Sequence, residues 1–260
     1  MGESTKIEWA DHTFNCWIGC TRVSAACDFC YAERFGHRFG IEWGNNPRRL
    51  ASDSTWRQPL AWNRAAQRDG VRRRVFCASL ADVFDNQVDP AWRYRLWDLI
   101  SDCRHLDWLL LTKRPQNIAK MLPSETQQAL LPNGGPWPWP HVWLGTTTEN
   151  QEEADRRISE LLAVPAAKHF ISAEPLLGPI NGVLNYVRLF SGRFDDPPTP
   201  VLDWVIVGGE SGPGARPMHP DWARSLRDQC QAAGVAFFMK QMTKKGIIPP
   251  DLFIREIPAA

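Results

Sequence analysis

The chain has 260 residues, 43% of them apolar, with 30 Lys and Arg against 29 Asp and Glu for a net charge of +1. It is long enough to bury a full core as one large α/β domain or two small ones, and its near-neutral balance gives no overall drive toward nucleic acid. No stretch reaches the roughly 18 apolar residues of a membrane span, and no apolar run follows a charged start, so the expected setting is a reducing cytoplasm.

Taken in chain order, short apolar runs each end in polar or Gly-rich residues. Residues 13–18 come first. Residues 74–78 lead into Ser79 and Asp82, residues 108–111 into Thr112, Lys113 and Arg114, and residues 142–144 into Thr146, Thr148 and Glu149. Residues 169–171 then lead into Ser172 and Glu174, residues 204–207 into Gly208, Gly209 and Glu210, and residues 235–239 into Lys240. Continuous rather than alternating apolar runs fit strands buried on both faces of a parallel sheet. Seven such units with intervening helices predict an α/β fold, a partial or complete (β/α) TIM-like barrel.

Helices are expected at residues 90–100, with Asp89 as cap and Pro90 in the first turn, at 149–162, and at 220–233, which ends at Gly234. Thr148 or Asn150 is placed to cap the second of these. The thirteen Trp are read as packing residues, because Trp108, Trp143 and Trp204 each open an apolar run. The expected organisation is a single barrel domain over residues 1–246, with insertions near 132–140 and 184–200, and a C-terminal tail at 247–260.

Seven cysteines are present, and three of them, Cys20, Cys27 and Cys30, fall within eleven residues, with Cys16 just upstream. An odd total and a two-residue gap between Cys27 and Cys30 suit a ligand nest better than a disulfide framework. Thiolate sulfur selects Zn, Cu(I) or an iron–sulfur cluster. The alternation of Phe14, Cys16 and Ile18 assigns Cys16 to a packed face rather than to the ligand set; if it did ligate, the site would close as structural zinc or an electron-transfer centre. Cys77, Cys103 and Cys230 stand alone in strand or helix segments.

In barrels of this kind the loops after the strands form the active face. Asp82, Thr146, Thr148, Glu149, Ser172, Glu174, Gly208, Gly209 and Glu210 are therefore the candidate cofactor-binding residues, with Lys113, Arg114 and Lys240 beside them. The glycines permit a close backbone approach to a ligand. A helix cap or loop hydrogen bond is the competing role for each polar residue. From Arg22 to Arg74 eleven Arg face five acids, an excess that suits either phosphate tracking or a solvated face.

The Cys20-x6-Cys27-x2-Cys30-Tyr31-Ala32 motif occurs together with Ile7-Glu8-Trp9, Leu110-Leu-Thr-Lys-Arg-Pro115, Trp143-Leu-Gly, Ser172-Ala-Glu-Pro-Leu176 and Gly208-Gly-Glu-Ser-Gly212. This set resembles a phage-associated three-cysteine-motif family of unknown function, which is similar to radical S-adenosylmethionine (SAM) enzymes. The resemblance implies a barrel of the radical SAM type and a [4Fe–4S] cluster on Cys20, Cys27 and Cys30, with one iron open to the amino and carboxylate groups of SAM. It also implies cleavage of SAM to a 5′-deoxyadenosyl radical, an electron donor as partner, and Asp82 near the SAM amino group. Phe29 before the last cysteine matches the usual C-x3-C-x2-C pattern, whereas the six-residue first gap departs from it. A nucleic-acid-related substrate meeting the Arg-rich segment 22–74, and a protein partner, are further expectations. Two rival readings stand beside this one: a zinc-stapled nucleic-acid-binding protein using Cys16 as a fourth ligand, and a metal-independent barrel hydrolase with Glu174 and Glu210 as acid and base.

Overall fold

A computed structural model describes residues 5–131, 133, 135–183 and 202–259. The expected insertion at 184–200 lies outside the described residues, as do positions 132 and 134 of the Pro- and Trp-rich insertion.

Nine strands are present among the described residues: β1 (His12–Phe14), β2 (Trp17–Ile18), β3 (Arg49–Leu50), β4 (Arg73–Cys77), β5 (Leu106–Thr112), β6 (Val142–Thr147), β7 (Lys168–Ala173), β8 (Trp204–Gly208) and β9 (Ala236–Gln241). Seven form one sheet in the order β1-β4-β5-β6-β7-β8-β9, with β1 parallel to β4, β4 to β5, β7 to β8 and β8 to β9. Each expected run supplies one of these strands. β6 and β8 are buried at every position, the pattern of a sheet covered on both faces. β1 and β9 are the ends of the order, so the α/β fold is a partial (β/α) barrel.

The first run departs from expectation. Residues 13–18 are not one strand: β1 joins the main sheet, whereas β2 leaves it to pair antiparallel with β3. A continuous apolar run does not record a change of pairing partner, because both halves are buried.

The helices obey their local signals. α1 (Tyr31–His37), α2 (Asp53–Trp56) and α3 (Gln58–Asp69) precede α4 (Pro90–Asp102), where the Asp89 carboxylate accepts from the Ala91 amide at 2.8 Å. α5 (Ile118–Met121) and α6 (Glu125–Leu130) follow. α7 (Gln151–Leu162) is capped by Asn150, whose side chain accepts from the Glu153 amide at 3.0 Å, so Asn150 and not Thr148 fills that role. α8 (Pro220–Ala233) ends at Gly234 with φ of 70°, the left-handed conformation that glycine adopts without a Cβ penalty.

The chain divides into two compact units. The first comprises Met1–Val23, Cys30–Leu144 and Val164–Ala167; the second comprises Ser24–Phe29, Gly145–Ala163 and Lys168–Ala260. In the first, Phe14 on β1 packs edge to face against both Trp108 on β5 and Trp56 on α2, and Val75 and Leu109 are fully buried. In the second, Trp204 packs against Phe170 and Phe238. Each such side chain removed from water contributes about 1.5–3 kcal/mol. The tryptophans that open strands are thus core residues, 0–3% exposed at Trp108, Trp143 and Trp204. Residues 247–259 do not hang free of the second unit: Arg255 bridges Phe238 antiparallel, the Met239 amide donates to the Ile254 carbonyl, and Leu252 is buried. No helix among the described residues is long and apolar enough to cross a membrane.

Candidate functional site

The segment holding Cys20, Cys27 and Cys30 is shared between the units. Cys20 and Cys30 belong to the first and Cys27 to the second. All seven cysteines are free thiols. Cys20 and Cys30 are partly exposed, and Cys27 is 8% exposed.

In the first unit, the polar ends of β4 and β5 hold Cys20. Asp82, just beyond β4, is 4% exposed and its carboxylate is fully engaged. It accepts from the Phe84 amide at 2.9 Å, the Thr112 hydroxyl at 2.7 Å, the Lys113 amide at 3.2 Å and Arg114 Nη1 at 3.0 Å. The same Arg114 Nη1 donates to Cys20 Sγ at 3.5 Å, and Nη2 donates to the Thr21 carbonyl at 2.8 Å. Burial pushes the Cys20 thiol up to about 11, aided by the Asp82 carboxylate and opposed by Arg114. A metal that ligates this thiol displaces its proton, because the cation stabilises the thiolate.

Arg48 was not legible as a site residue, yet it is 6% exposed and bonds to Thr21, the residue after Cys20. Its Nε and Nη2 donate to Asp85 Oδ2 at 2.8 and 2.6 Å, its Nη1 to the Gly44 and Asn46 carbonyls, and its Nη2 also to the Thr21 hydroxyl. The Cys20 carbonyl accepts from the Gly44 amide at 2.9 Å. Arg48 thus ties the residue after Cys20 to the β4 loop. The hint in sequence was only an arginine among many, and nothing local marked it as the buried one.

Cys30 immediately precedes α1 and packs against the small cluster of Ile18, Ala32, Ile41 and Leu80. Cys16 is fully buried and lies in hydrogen-bonding contact with the equally buried Cys77, whose thiol is pushed up first by burial and then by Cys16. It occupies a core position, as expected, but not through strand alternation: it lies between β1 and β2, and its neighbours Asn15 and Trp17 are buried too.

About half of the arginines of the Arg-rich segment form ion pairs within the first unit. Six of its eleven arginines pair with acids: Arg22 with Glu33, Arg48 with Asp85, Arg68 and Arg73 with Asp69, Arg72 with Asp107, and Arg74 with Asp11.

In the second unit, Glu149 follows β6 and is wholly buried. Its Oε2 accepts from Arg157 Nη1 at 2.8 Å, and its Oε1 accepts from the Ala26 amide at 3.3 Å. Arg157 is 1% exposed and also donates to the Thr147 carbonyl at 2.8 Å. Removing one partner of such a pair leaves a buried charge unmatched, at a cost of about 3–5 kcal/mol. Glu210, after β8, is 9% exposed and is gripped by Arg216, whose amide donates to Oε2 at 2.7 Å and whose guanidinium forms the ion pair. Arg216 in turn donates to the Ala25 carbonyl at 2.8 Å and to Asp28 Oδ2 at 3.2 Å, and lies over the Phe29 ring at 5.0 Å.

The remaining expected residues in this unit fall into two kinds. Thr146 and Ser172 are buried strand residues, and the Ser172 carbonyl accepts from the Thr148 amide at 3.0 Å. The Thr148 hydroxyl is buried with no hydrogen-bond partner among the described residues. Glu174, after β7, forms an ion pair with Lys240 of β9, and both are only partly covered, with side chains 19% and 16% exposed. Gly208 lies against the Glu174 side chain, and a Cβ at Gly209 would meet the Thr243 amide nitrogen at 2.5 Å. The close approach these glycines permit is thus to the chain's own side chain and backbone.

Among the described residues no three His, Cys, Asp or Glu side chains are already gathered as a metal site. The donor chemistry nevertheless fits an iron–sulfur cluster: three uncrosslinked soft thiols occupy one short segment, and no disulfide competes for them.

No curated protein matches the chain. Among solved structures it is similar to a mutant spore photoproduct lyase with bound AdoMet and dinucleoside spore photoproduct, at 12% identity and a TM-score of 0.46. That match covers 90% of this chain and 58% of that protein's chain. A family model covers residues 4–247, and the chain accordingly belongs to the family described as "Protein of unknown function (DUF5131)".

Proposed function

We propose that the chain is a [4Fe–4S] protein of the radical SAM type, holding its cluster through Cys20, Cys27 and Cys30 and acting on SAM in a reducing cytoplasm with an external electron donor. The observation that carries this reading is the burial of Cys16 against Cys77. It leaves three thiols rather than four in the segment, and three thiolates leave one iron of a cubane open. When bound and reduced, the cluster supplies the electron that breaks a carbon–sulfur bond of SAM.

The chain's own residues divide the remaining work. In the first unit Asp82 and Arg114 hold Cys20, and in the second Glu149, and Glu210 through Arg216, hold the turn that carries Cys27. The Glu174 and Lys240 pair, the least enclosed of the ion-paired carboxylates at the strand ends, faces the ligand, and the Thr148 hydroxyl retains hydrogen-bonding capacity for it. The same pairings disfavour a metal-independent hydrolase, because Glu174 and Glu210 are each tied to a cation. The substrate beyond SAM is proposed to be nucleic-acid-related or nucleotide-derived, on the strength of the Arg-rich segment 22–74 and the phage association that the resemblance implies.

The test is anaerobic reconstitution with iron and sulfide, followed by metal analysis and product analysis after reduction with SAM present. About four Fe per chain is expected, with loss on Cys20→Ala, Cys27→Ala or Cys30→Ala, retention on Cys16→Ala, and slow release of 5′-deoxyadenosine. Stoichiometric zinc with equal dependence on all four cysteines would replace this reading with the zinc-stapled one.

A further inference from the structure

Segment 24–29, the stretch that lengthens the first cysteine gap, is bonded from two sides within the second unit. It carries a single 3-10 turn, Ala25–Cys27, in which the Cys27 amide donates to the Ser24 carbonyl at 2.9 Å and the Asp28 amide to the Ala25 carbonyl at 3.2 Å. So short a turn does not persist alone, because one or two hydrogen bonds do not offset the backbone entropy of fixing it. From one side Glu149 accepts the Ala26 amide, its carboxylate oriented by Arg157. From the other, Arg216 reaches the Ala25 carbonyl and the Asp28 carboxylate while lying over Phe29, its guanidinium oriented by Glu210. Gly214, at φ of 75°, closes the Phe29 side: a Cβ there would stand 2.9 Å from the ring.

We infer that Glu149 and Arg216 are positioning residues for Cys27: together they clamp the added turn of the six-residue gap in one conformation and so set where the Cys27 thiol is presented. Two carboxylate–arginine pairs do the gripping, Glu149 with Arg157 of α7 and Glu210 with Arg216 of the loop after β8, and the turn contributes backbone groups, Asp28 and the Phe29 ring. The relevance to a cluster rests on the function proposed above; the clamp itself is a property of the protein without it.

The experiment therefore has two arms on the full chain. In the first, the metal-free protein is alkylated with iodoacetamide and each cysteine is followed by peptide mass spectrometry, with amide exchange read over residues 24–29. Arg216→Met is expected to raise the Cys27 alkylation rate at least tenfold and to speed exchange at the Cys27 and Asp28 amides, while Cys230, a buried thiol of the same unit, stays unchanged. Gly214→Ala, whose methyl group would press on the Phe29 ring at 2.9 Å, is expected to do the same and serves if Arg216→Met does not fold. A parallel rise at Cys230 would mean general loosening and would overturn the clamp, as would unchanged Cys27 in both variants.

In the second arm the variants are reconstituted with iron and sulfide. Arg216→Met is expected to hold less than half the wild-type iron after desalting and to shift the electron paramagnetic resonance spectrum of the reduced cluster, with Arg216→Lys recovering part of both. Iron content and spectrum identical to wild type would overturn the positioning role. If wild-type protein binds no iron while the first arm succeeds, the functional proposal fails and the clamp stands.

Discussion

Arg114 and Asp82 stand 3.0 Å apart, with side chains 8% and 6% exposed, and the arginine also reaches Cys20. The Asp82 carboxylate, which the family resemblance led one to expect near the SAM amino group, is a buried counter-ion with four donors. Arg114→Met leaves Asp82 charged and without its cation in a poorly solvated place. A loss of about 3–5 kcal/mol in unfolding free energy is expected, measured by urea denaturation. A change below about 1 kcal/mol would show that solvent reaches the carboxylate freely.

Gly209→Ala separates packing from ligand binding. The added methyl group would meet the Thr243 backbone nitrogen at 2.5 Å, where no flexible side chain yields. The expected cost is about 1–3 kcal/mol from overpacking, present in metal-free protein and unaltered by SAM. Stability equal to wild type, with weakened SAM binding on calorimetry, would reassign the glycine to the ligand.

His141 predicts a pH dependence in the first unit. Burial lowers its pKa below the ordinary 6.5, opposed by its contact with the Ile100 carbonyl at 3.0 Å and reinforced by Arg72 and Arg104. The unfolded chain therefore takes up this proton more readily than the folded one. The stabilisation is fully present above about pH 6.5 and declines as the pH falls from there through the lower folded value. Unfolding free energy measured from about pH 7.5 to 5 should fall, and His141→Gln should flatten that slope. An unchanged slope in the variant would place the titrating group elsewhere.

Cys16→Ala tests the core assignment by pairing two measurements. Removing a buried sulfur beside Cys77 should cost on the order of 1 kcal/mol, read by urea denaturation, while reconstituted iron stays near the wild-type level. Loss of iron in a variant of near wild-type stability would make Cys16 a ligand.

Strands, helix caps and the cysteine spacing were legible in the sequence because each depends on near neighbours. Apolar runs of a few residues marked all seven strands of the main sheet, Asp89 and Gly234 marked helix ends, and the close spacing of Cys20, Cys27 and Cys30 was itself plain. The tertiary structure decided which partner each polar residue takes. Glu149 meets Ala26 across 123 residues and Arg216 meets Ala25 across 191, and no local pattern encodes such pairings. The split of residues 13–18 between two sheets, the burial of Arg48 and the withdrawal of Asp82 into an ion pair have the same origin. A buried charge must find its counter-ion wherever the fold brings one, because leaving it unmatched in the interior costs several kcal/mol, and that choice is made only when distant segments pack.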